Sequence, residues 1–257
     1  MGLIDSHAHL TFPELRDRLD EILARCDDAG IDRIITLGIN LDDARSAVQF
    51  ARLHPDRIHA AGAFHPHEAE KVTDDLLTAM AELWDDPSVV ALGEMGLDYY
   101  HEFAAQNTQR SIFAQQLELA ALRSKPLIIH CREAFADTIP MLVEQGFEGR
   151  PIVFHCFTGS TAEALRLQEH GWRISFTGIV TFPKSTELQQ IAKSYPQEAL
   201  MIETDSPYLS PVPVRGRQPN EPAHLVHVAR FLAGLRGVSY EDIVEQTAGN
   251  TRQFFDL

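Results

Sequence analysis

The sequence predicts a single α/β domain folded as a (β/α)8 barrel, the TIM-barrel architecture. Short apolar runs rich in β-branched residues alternate with longer amphipathic segments from one end of the chain to the other. Eight such runs can be counted, which favours a closed barrel over an open sheet. The chain has 257 residues, and barrels of this type commonly reach about 250 residues as one unit. We therefore expect residues 1–257 to form one domain.

The predicted strands are short and buried, as expected for a parallel sheet that is covered by helices. Each run is followed by a segment that is long enough for a helix and its connections. The predicted strands are Leu3 to Asp5, Arg33 to Leu37, Ile58 to Ala63, Val89 to Gly93, Leu127 to His130, Ile152 to His155, Arg173 to Phe176 and Leu200 to Glu203.

Helices are predicted between the strands from apolar residues that recur at helical spacing. Clear examples are Glu14 to Ala29 and Gln106 to Ser124. The segment from Ser206 to Pro222 contains many prolines, which predicts a long loop after the eighth strand. Two closing helices are predicted beyond it, from His224 to Leu235 and from Tyr240 to Phe255.

The composition limits the possible partners and compartments. The formal net charge of −15 is the wrong sign for a protein that wraps duplex DNA along a basic track, so any nucleic-acid contact should be local. No stretch is apolar enough to predict a membrane partner. Three widely spaced cysteines suggest neither a disulfide framework nor a zinc motif, and we expect a cytoplasmic location; they are Cys26, Cys131 and Cys156.

The pair His7 and His9 follows the first predicted strand and could grip one metal ion, because alternate residues of a strand point to the same side. Such a pair is often incidental. Support comes from four further side chains at or just beyond predicted strand ends, since the carboxyl ends of barrel strands converge on one site. These are Glu94, His130, His155 and Asp205.

Six potential ligands exceed what one tetrahedral ion can use, so we predict two divalent ions bridged by a carboxylate, with Glu94 as the bridge. Imidazoles and carboxylates suit Zn, Mn, Co or Ni, and Mg would prefer more oxygen; the sequence does not choose. Asp205 is predicted to be the base that orients and deprotonates a water. Glu203 is a candidate for substrate binding or for supporting a ligand; alternatively it faces the helices or pairs with a Lys.

Five segments together form a family pattern. They are Asp5 to Leu10 (DSHAHL), Gly93 to Tyr99 (GEMGLDY), His155 to Ser160 (HCFTGS), Glu203 to Pro207 (ETDSP) and Arg215 to Pro222 (RGRQPNEP). In order and spacing, the sequence resembles the TatD family of metal-dependent deoxyribonucleases over nearly its whole length.

The resemblance implies an amidohydrolase-type barrel whose metal ligands are the six residues above. It also implies a 3′ to 5′ exonuclease that acts on single-stranded DNA, with RNA as a further candidate substrate, and roles in DNA repair or in clearing degraded DNA. Two ions would hold the scissile phosphate while an activated water attacks in line, with Asp205 as base. Some family members are linked to removing D-amino acids from tRNA.

Two residues near the predicted metal ligands are candidates for contacting the substrate. His65 resembles an additional active-site histidine of the family that hydrogen-bonds a phosphate oxygen; alternatively it is a loop residue at the barrel mouth. Arg132 has the geometry to clamp a phosphate, although a salt bridge to Glu133 or Asp137 is the simpler interpretation.

The loop arginines Arg215 and Arg217 are candidates for holding the substrate backbone, or are simply solvated. Tyr99, Tyr100 and Phe157 are candidates for base stacking, or pack at the barrel mouth. The remaining histidines are predicted to be structural or on the surface: His54, His59, His101, His170, His224 and His227.

Two other functions remain open at this stage. The same metal cradle polarises a carbonyl as readily as a phosphoryl group, so an ester or amide hydrolase, such as a D-aminoacyl-tRNA deacylase, is the alternative enzyme. A barrel that has lost catalysis and serves as a binding scaffold is the other. The oligomeric state is not indicated, and a monomer is compatible with the sequence.

Overall fold

The computed structural model describes residues 2–257, which form one eight-stranded parallel sheet with the strands in sequence order. All eight predicted strands are confirmed. Their bounds are β1 Leu3–Ala8, β2 Ile31–Gly38, β3 Ile58–Gly62, β4 Val89–Asp98, β5 Leu127–Arg132, β6 Ile152–Phe154, β7 Arg173–Phe176 and β8 Leu200–Ile202.

The sheet closes where β1 meets the segment that follows β8. Ala8 forms a parallel bridge with Ser206, and the backbone N–H of His9 donates to the Ser206 carbonyl at 2.8 Å. The N–H of Asp205 donates to the His7 carbonyl at 3.0 Å. The predicted (β/α)8 barrel is confirmed, and its closure places the first and last candidate ligands side by side.

Helices follow the strands and cover the outside of the barrel. The predicted helix from Glu14 to Ala29 is interrupted, because Arg18 leaves helical geometry at φ −123° and ψ 20°. No helix of residues 2–257 combines the length and the hydropathy needed to cross a membrane. The bounds are α1 Pro13–Arg16, α2 Leu19–Ala29, α3 Leu41–Leu53, α4 Asp74–Leu83, α5 Gln106–Ala120, α6 Phe135–Glu144, α7 Thr161–Glu169, α8 Thr186–Ser194, α9 Leu225–Arg236 and α10 Tyr240–Phe255, with 3-10 helices at Pro66–Lys71, Gly178–Thr181, Gln197–Ala199 and Pro222–His224.

The C-terminal helix packs against the amino-terminal end of the barrel. The amide of Asn250 in α10 donates to the carbonyl of Leu200 at 2.8 Å, at the start of β8. Phe254 and Phe255 join a small apolar cluster with residues such as Ile35 and Ile128. Because α10 occupies this end, the carboxyl ends of the strands remain as the open face of the barrel.

Strand β4 is longer than predicted and passes through two glycines. The sequence analysis ended it at Gly93, but it continues to Asp98. At Gly96, where φ is +144°, a Cβ atom would lie 2.0 Å from the His130 carbonyl oxygen, so only glycine lets β5 approach this closely. Glu94 therefore lies within the strand, and Asp98 occupies its end.

Candidate metal centre

The six predicted ligands meet at the carboxyl ends of the strands, and we call them the inner cluster: His7, His9, Glu94, His130, His155 and Asp205. One half of the cluster forms around β1. The Nε2 atoms of His7 and His9 are 3.3 Å apart, and both face the same oxygen of Glu94, Oε2, at 3.4 and 3.7 Å. Asp205 Oδ1 lies 3.7 Å from His7 Nε2 and 3.4 Å from His9 Nε2.

The other half of the inner cluster surrounds the second oxygen of Glu94. His130 Nδ1 lies 2.7 Å and His155 Nε2 lies 2.6 Å from Glu94 Oε1. The two imidazole nitrogens are 3.1 Å apart. Each oxygen of Glu94 thus belongs to a different group of nitrogen donors, as expected for a carboxylate that bridges two ions.

The electrostatics of the inner cluster fit divalent cations. Its side chains are 0–18% exposed. Burial raises the pKa of Glu94, but the charges and hydrogen bonds of the neighbouring imidazoles outweigh it and hold the pKa well below its usual value. Burial lowers the pKa of His155, yet the Glu94 carboxylate raises it well above its usual range. A lone pair on nitrogen cannot face a carboxylate at 2.6 Å without a proton or a cation between them.

His65 lies against the inner cluster, with Nε2 at 3.3 Å from both Glu94 Oε1 and His130 Nδ1. Its other nitrogen, Nδ1, accepts a hydrogen bond from the backbone N–H of His67 at 3.1 Å. Burial lowers the pKa of His65 to about 3, so the ring is neutral. A neutral imidazole carries one proton, which must then be on Nε2. His65 is therefore built to donate a hydrogen bond into the centre, and it is 7% exposed.

Glu203 does not lie where a substrate can reach it, and the substrate-binding prediction for it needs correction. The residue is 1% exposed. Its carboxylate accepts hydrogen bonds from the Ser175 hydroxyl at 2.7 Å and from the Cys156 backbone N–H at 2.6 Å. Oε1 also lies 3.4 Å from His155 Nδ1. Glu203 thus lies on the side of the imidazole opposite Glu94, which is the position of a carboxylate that supports a metal-binding histidine.

Arg132 lines a cleft of about 400 Å³ beside the inner cluster, together with Thr158, Ser160 and Phe135. Its guanidinium donates to the Thr158 hydroxyl at 2.9 Å and lies 5.0 Å from the centre of the Tyr100 ring. It forms no salt bridge with an acidic residue among residues 2–257, so the alternative prediction of a salt bridge to Glu133 or Asp137 is wrong. Its remaining donors are free to contact an anion.

The structure does not bring the loop arginines to the inner cluster. Arg215 stacks on the ring of Phe182, with 4.0 Å from guanidinium carbon to ring centre, and Arg217 is exposed. Neither guanidinium contacts an inner-cluster side chain within the described part of the chain. Phe157 is 3% exposed and packs in the core, so it is not available to stack a base.

Sequence reasoning missed three side chains at this end of the barrel. Asp98, at the end of β4, lies 3.1 Å from His130 Nε2, on the side of the ring opposite Glu94. His67 and His101 contact the same Asp98 oxygen at 2.8 and 2.9 Å, although His101 was predicted to be structural or on the surface. The spacing of Glu94 and Asp98 could have indicated that Asp98 lies near the inner cluster, because residues four apart in a strand share a face.

A closed barrel that gathers histidines and carboxylates at the carboxyl ends of its strands defines the class of metal-dependent hydrolases with an amidohydrolase-type barrel. The family model described as "TatD related DNase" matches residues 4–256. The protein belongs to this family. It is a metal-dependent hydrolase whose cofactors are divalent metal ions, and phosphodiester bonds are the bonds that it hydrolyses.

Two relatives and one solved structure illustrate the similarity. The chain is 35% identical over 255 residues to the "Uncharacterized metal-dependent hydrolase YabD" of Bacillus subtilis, covering 99% of both chains. It is 33% identical over 259 residues to the "3'-5' ssDNA/RNA exonuclease TatD" of Erwinia tasmaniensis, covering 99% of this chain and 100% of the other. The crystal structure of YJJV, a TatD homologue from Escherichia coli, superposes with a TM-score of 0.93 at 27% identity, covering 99% and 98% of the two chains.

Proposed function

We propose that the protein is a 3′ to 5′ exonuclease that hydrolyses single-stranded DNA, with single-stranded RNA as a second substrate. The observation that carries the proposal is the position of the Glu94 carboxylate. Its two oxygens face two separate groups of nitrogen donors at 2.6–3.7 Å. A pair of bridged cations is suited to a phosphodiester, because it can neutralise charge on both sides of the phosphorus. The name of the Erwinia relative supports the direction and the choice of strand.

The inner cluster would hold the ions as two groups that share Glu94: His7, His9 and Asp205 on one side, His130 and His155 on the other. When bound, such ions polarise the phosphoryl group and acidify a water to near neutral pH. Asp205 would accept a proton from the attacking water. Burial raises the pKa of Asp205, but the hydrogen bond with His9 and the charges of nearby imidazoles lower it overall, so the carboxylate is ionised and ready to accept.

The other residues orient the substrate. His65 Nε2 donates a hydrogen bond to a phosphate oxygen, while Glu203 keeps the ring of His155 in place. Arg132 binds the next phosphate along the strand through the donors that Thr158 leaves free. A local contact of this kind agrees with the net charge of −15, which disfavours binding along an extended basic track. A cytoplasmic location is part of the proposal and is favoured by three free cysteines.

The proposal is tested with protein that has been stripped of metal and reloaded separately with Mg, Mn, Co, Ni or Zn. With a single-stranded oligonucleotide labelled at its 5′ end, we expect a ladder of products that shortens with time. The same strand labelled at its 3′ end should release labelled mononucleotide from the first time point. Failure to shorten either strand with any of the five metals would refute the proposal, and the reverse pattern of products would refute the stated direction.

Replacing Arg132 by Gln is expected to lower kcat/KM on single-stranded DNA roughly thirtyfold, mainly through KM. The reason is the loss of a charge-assisted hydrogen bond to phosphate, which is worth about 2 kcal/mol. The measurement is the initial rate against substrate concentration. Arg45→Gln, on the exposed surface of α3, is the matched control and should leave kcat/KM unchanged. Equal values for Arg132→Gln and the original protein would remove Arg132 from the substrate site.

A further inference from the structure

A second group of metal-binding side chains lies beside the inner cluster, and we call it the outer cluster: His67, Asp98 and His101. His67 belongs to the 3-10 helix after β3, Asp98 ends β4, and His101 lies in the turn that follows. Asp98 Oδ2 is 2.8 Å from His67 Nε2 and 2.9 Å from His101 Nδ1. The three ligand atoms all lie within 4.8 Å of one another. They lie at the carboxyl ends of two neighbouring strands, β3 and β4, which pair directly in the sheet.

The carboxylate of Asp98 is held firmly by the backbone. Its Oδ1 accepts hydrogen bonds from the N–H groups of Tyr100 at 3.0 Å and His101 at 2.8 Å. Its Oδ2 is surrounded by three imidazole nitrogens, since His130 Nε2 also lies at 3.1 Å. One oxygen offers two lone-pair directions, which is one fewer than the number of nitrogens around it. A cation between the two outer imidazoles and Oδ2 satisfies all three groups better than hydrogen bonds alone.

The outer cluster is open on one side, as a site with exchangeable water ligands must be. The Asp98 side chain is 1% exposed, but those of His67 and His101 are 26% and 46% exposed. Phe103 packs against both imidazoles, at ring-centre distances of 4.7 Å from His67 and 5.9 Å from His101. Both rings are therefore already held near the carboxylate before any ion arrives.

We propose that His67, Asp98 and His101 bind a third divalent ion of the Zn, Co or Ni type, separate from the ions of the inner cluster. Two nitrogens and one oxygen select these metals over Mg. The outer site supplies one carboxylate and is open to solvent, so it binds its ion more weakly than the inner cluster does. The two sites are connected through His130, whose Nδ1 faces Glu94 while its Nε2 faces Asp98. This proposal does not depend on which phosphodiester the enzyme cleaves.

The test counts bound metal on tag-free protein. After equilibrium dialysis against Zn²⁺, elemental analysis should find one equivalent more in the original protein than in the double variant His67→Gln, His101→Gln. A titration with Co²⁺, followed by its visible absorption, should show a weaker step in the original protein that the double variant lacks. His54→Gln, where the histidine caps α3 far from both clusters, is the matched control and should keep the full count.

Two further variants keep the test decisive. His101→Gln alone alters a partly exposed turn, so it should remove the weaker step even if the double variant folds poorly. Glu94→Gln should lose ions of the inner cluster and retain the weaker step, which separates the outer site from the proposed nuclease centre. The same number of Zn²⁺ equivalents and the same Co²⁺ steps in the original protein and in His101→Gln would overturn the proposal.

Discussion

Replacing Asp205 by Asn is expected to lower kcat/KM on single-stranded DNA on the order of a thousandfold, with the fold intact. Loss of a general base commonly costs 10²–10⁴ in rate, and this carboxylate also faces His7 and His9 at 3.7 and 3.4 Å. Its side chain is 13% exposed against 3% for Glu94, so Asp205 is the carboxylate of the inner cluster that a water can reach. The measurement is single-turnover cleavage at saturating metal.

The chain provides a close control for this substitution. Asp205 has φ +53°, in the left-handed region, and Asp256 has φ +56° at the end of α10. Asn adopts this conformation as readily as Asp, so both substitutions preserve the backbone. Asp256→Asn should cleave DNA at the original rate. If Asp205→Asn retained more than a tenth of the original rate, Asp205 would not be the base.

Removal of metal is expected to lower the Tm by roughly 10 °C. Ligand present at a thousandfold excess over its Kd stabilises a protein by about 4 kcal/mol, and a protein of this size loses about 2–4 °C of Tm per kcal/mol. The physical reason is that the buried side chains of the inner cluster repel one another or must take up protons when no cation neutralises them. Differential scanning calorimetry of the chelated and reloaded protein measures the shift.

Glu94→Gln should largely abolish this difference in Tm, because it removes the carboxylate that both groups of the inner cluster share. Glu68→Gln is the control: Glu68 pairs with Lys71 in the 3-10 helix after β3, and its substitution should leave the metal-dependent shift intact. An identical Tm for the chelated and reloaded original protein would contradict the presence of a structural contribution from metal.

The number and order of the strands could be predicted because each strand is a local feature of the sequence. A buried parallel strand is a short apolar run, and the following helix has its own period, so neither depends on distant residues. The wrong prediction of the end of β4 has a local cause as well. Gly93 and Gly96 normally indicate the end of a strand, whereas here Gly96 removes the side chain that would collide with the His130 carbonyl.

The contents of the inner cluster could also be predicted, because barrel topology alone brings the carboxyl ends of strands together. The roles of the surrounding residues could not. Whether Glu203 binds substrate or lies behind His155 depends on the direction in which the residue just after β8 points. Whether His65 donates or accepts depends on one backbone N–H, that of His67.

The sequence by itself determined that this chain forms a barrel, that it belongs to a family of metal-dependent hydrolases, and which six side chains meet as the inner cluster. Only the tertiary structure shows that the two oxygens of Glu94 face different groups of donors. It also shows that Arg215 and Arg217 do not contact the inner cluster and that an outer cluster surrounds Asp98. The reason is that these findings depend on distances of 2.6–4 Å between atoms on different strands and loops. The packing of the closed sheet and its connections sets those distances.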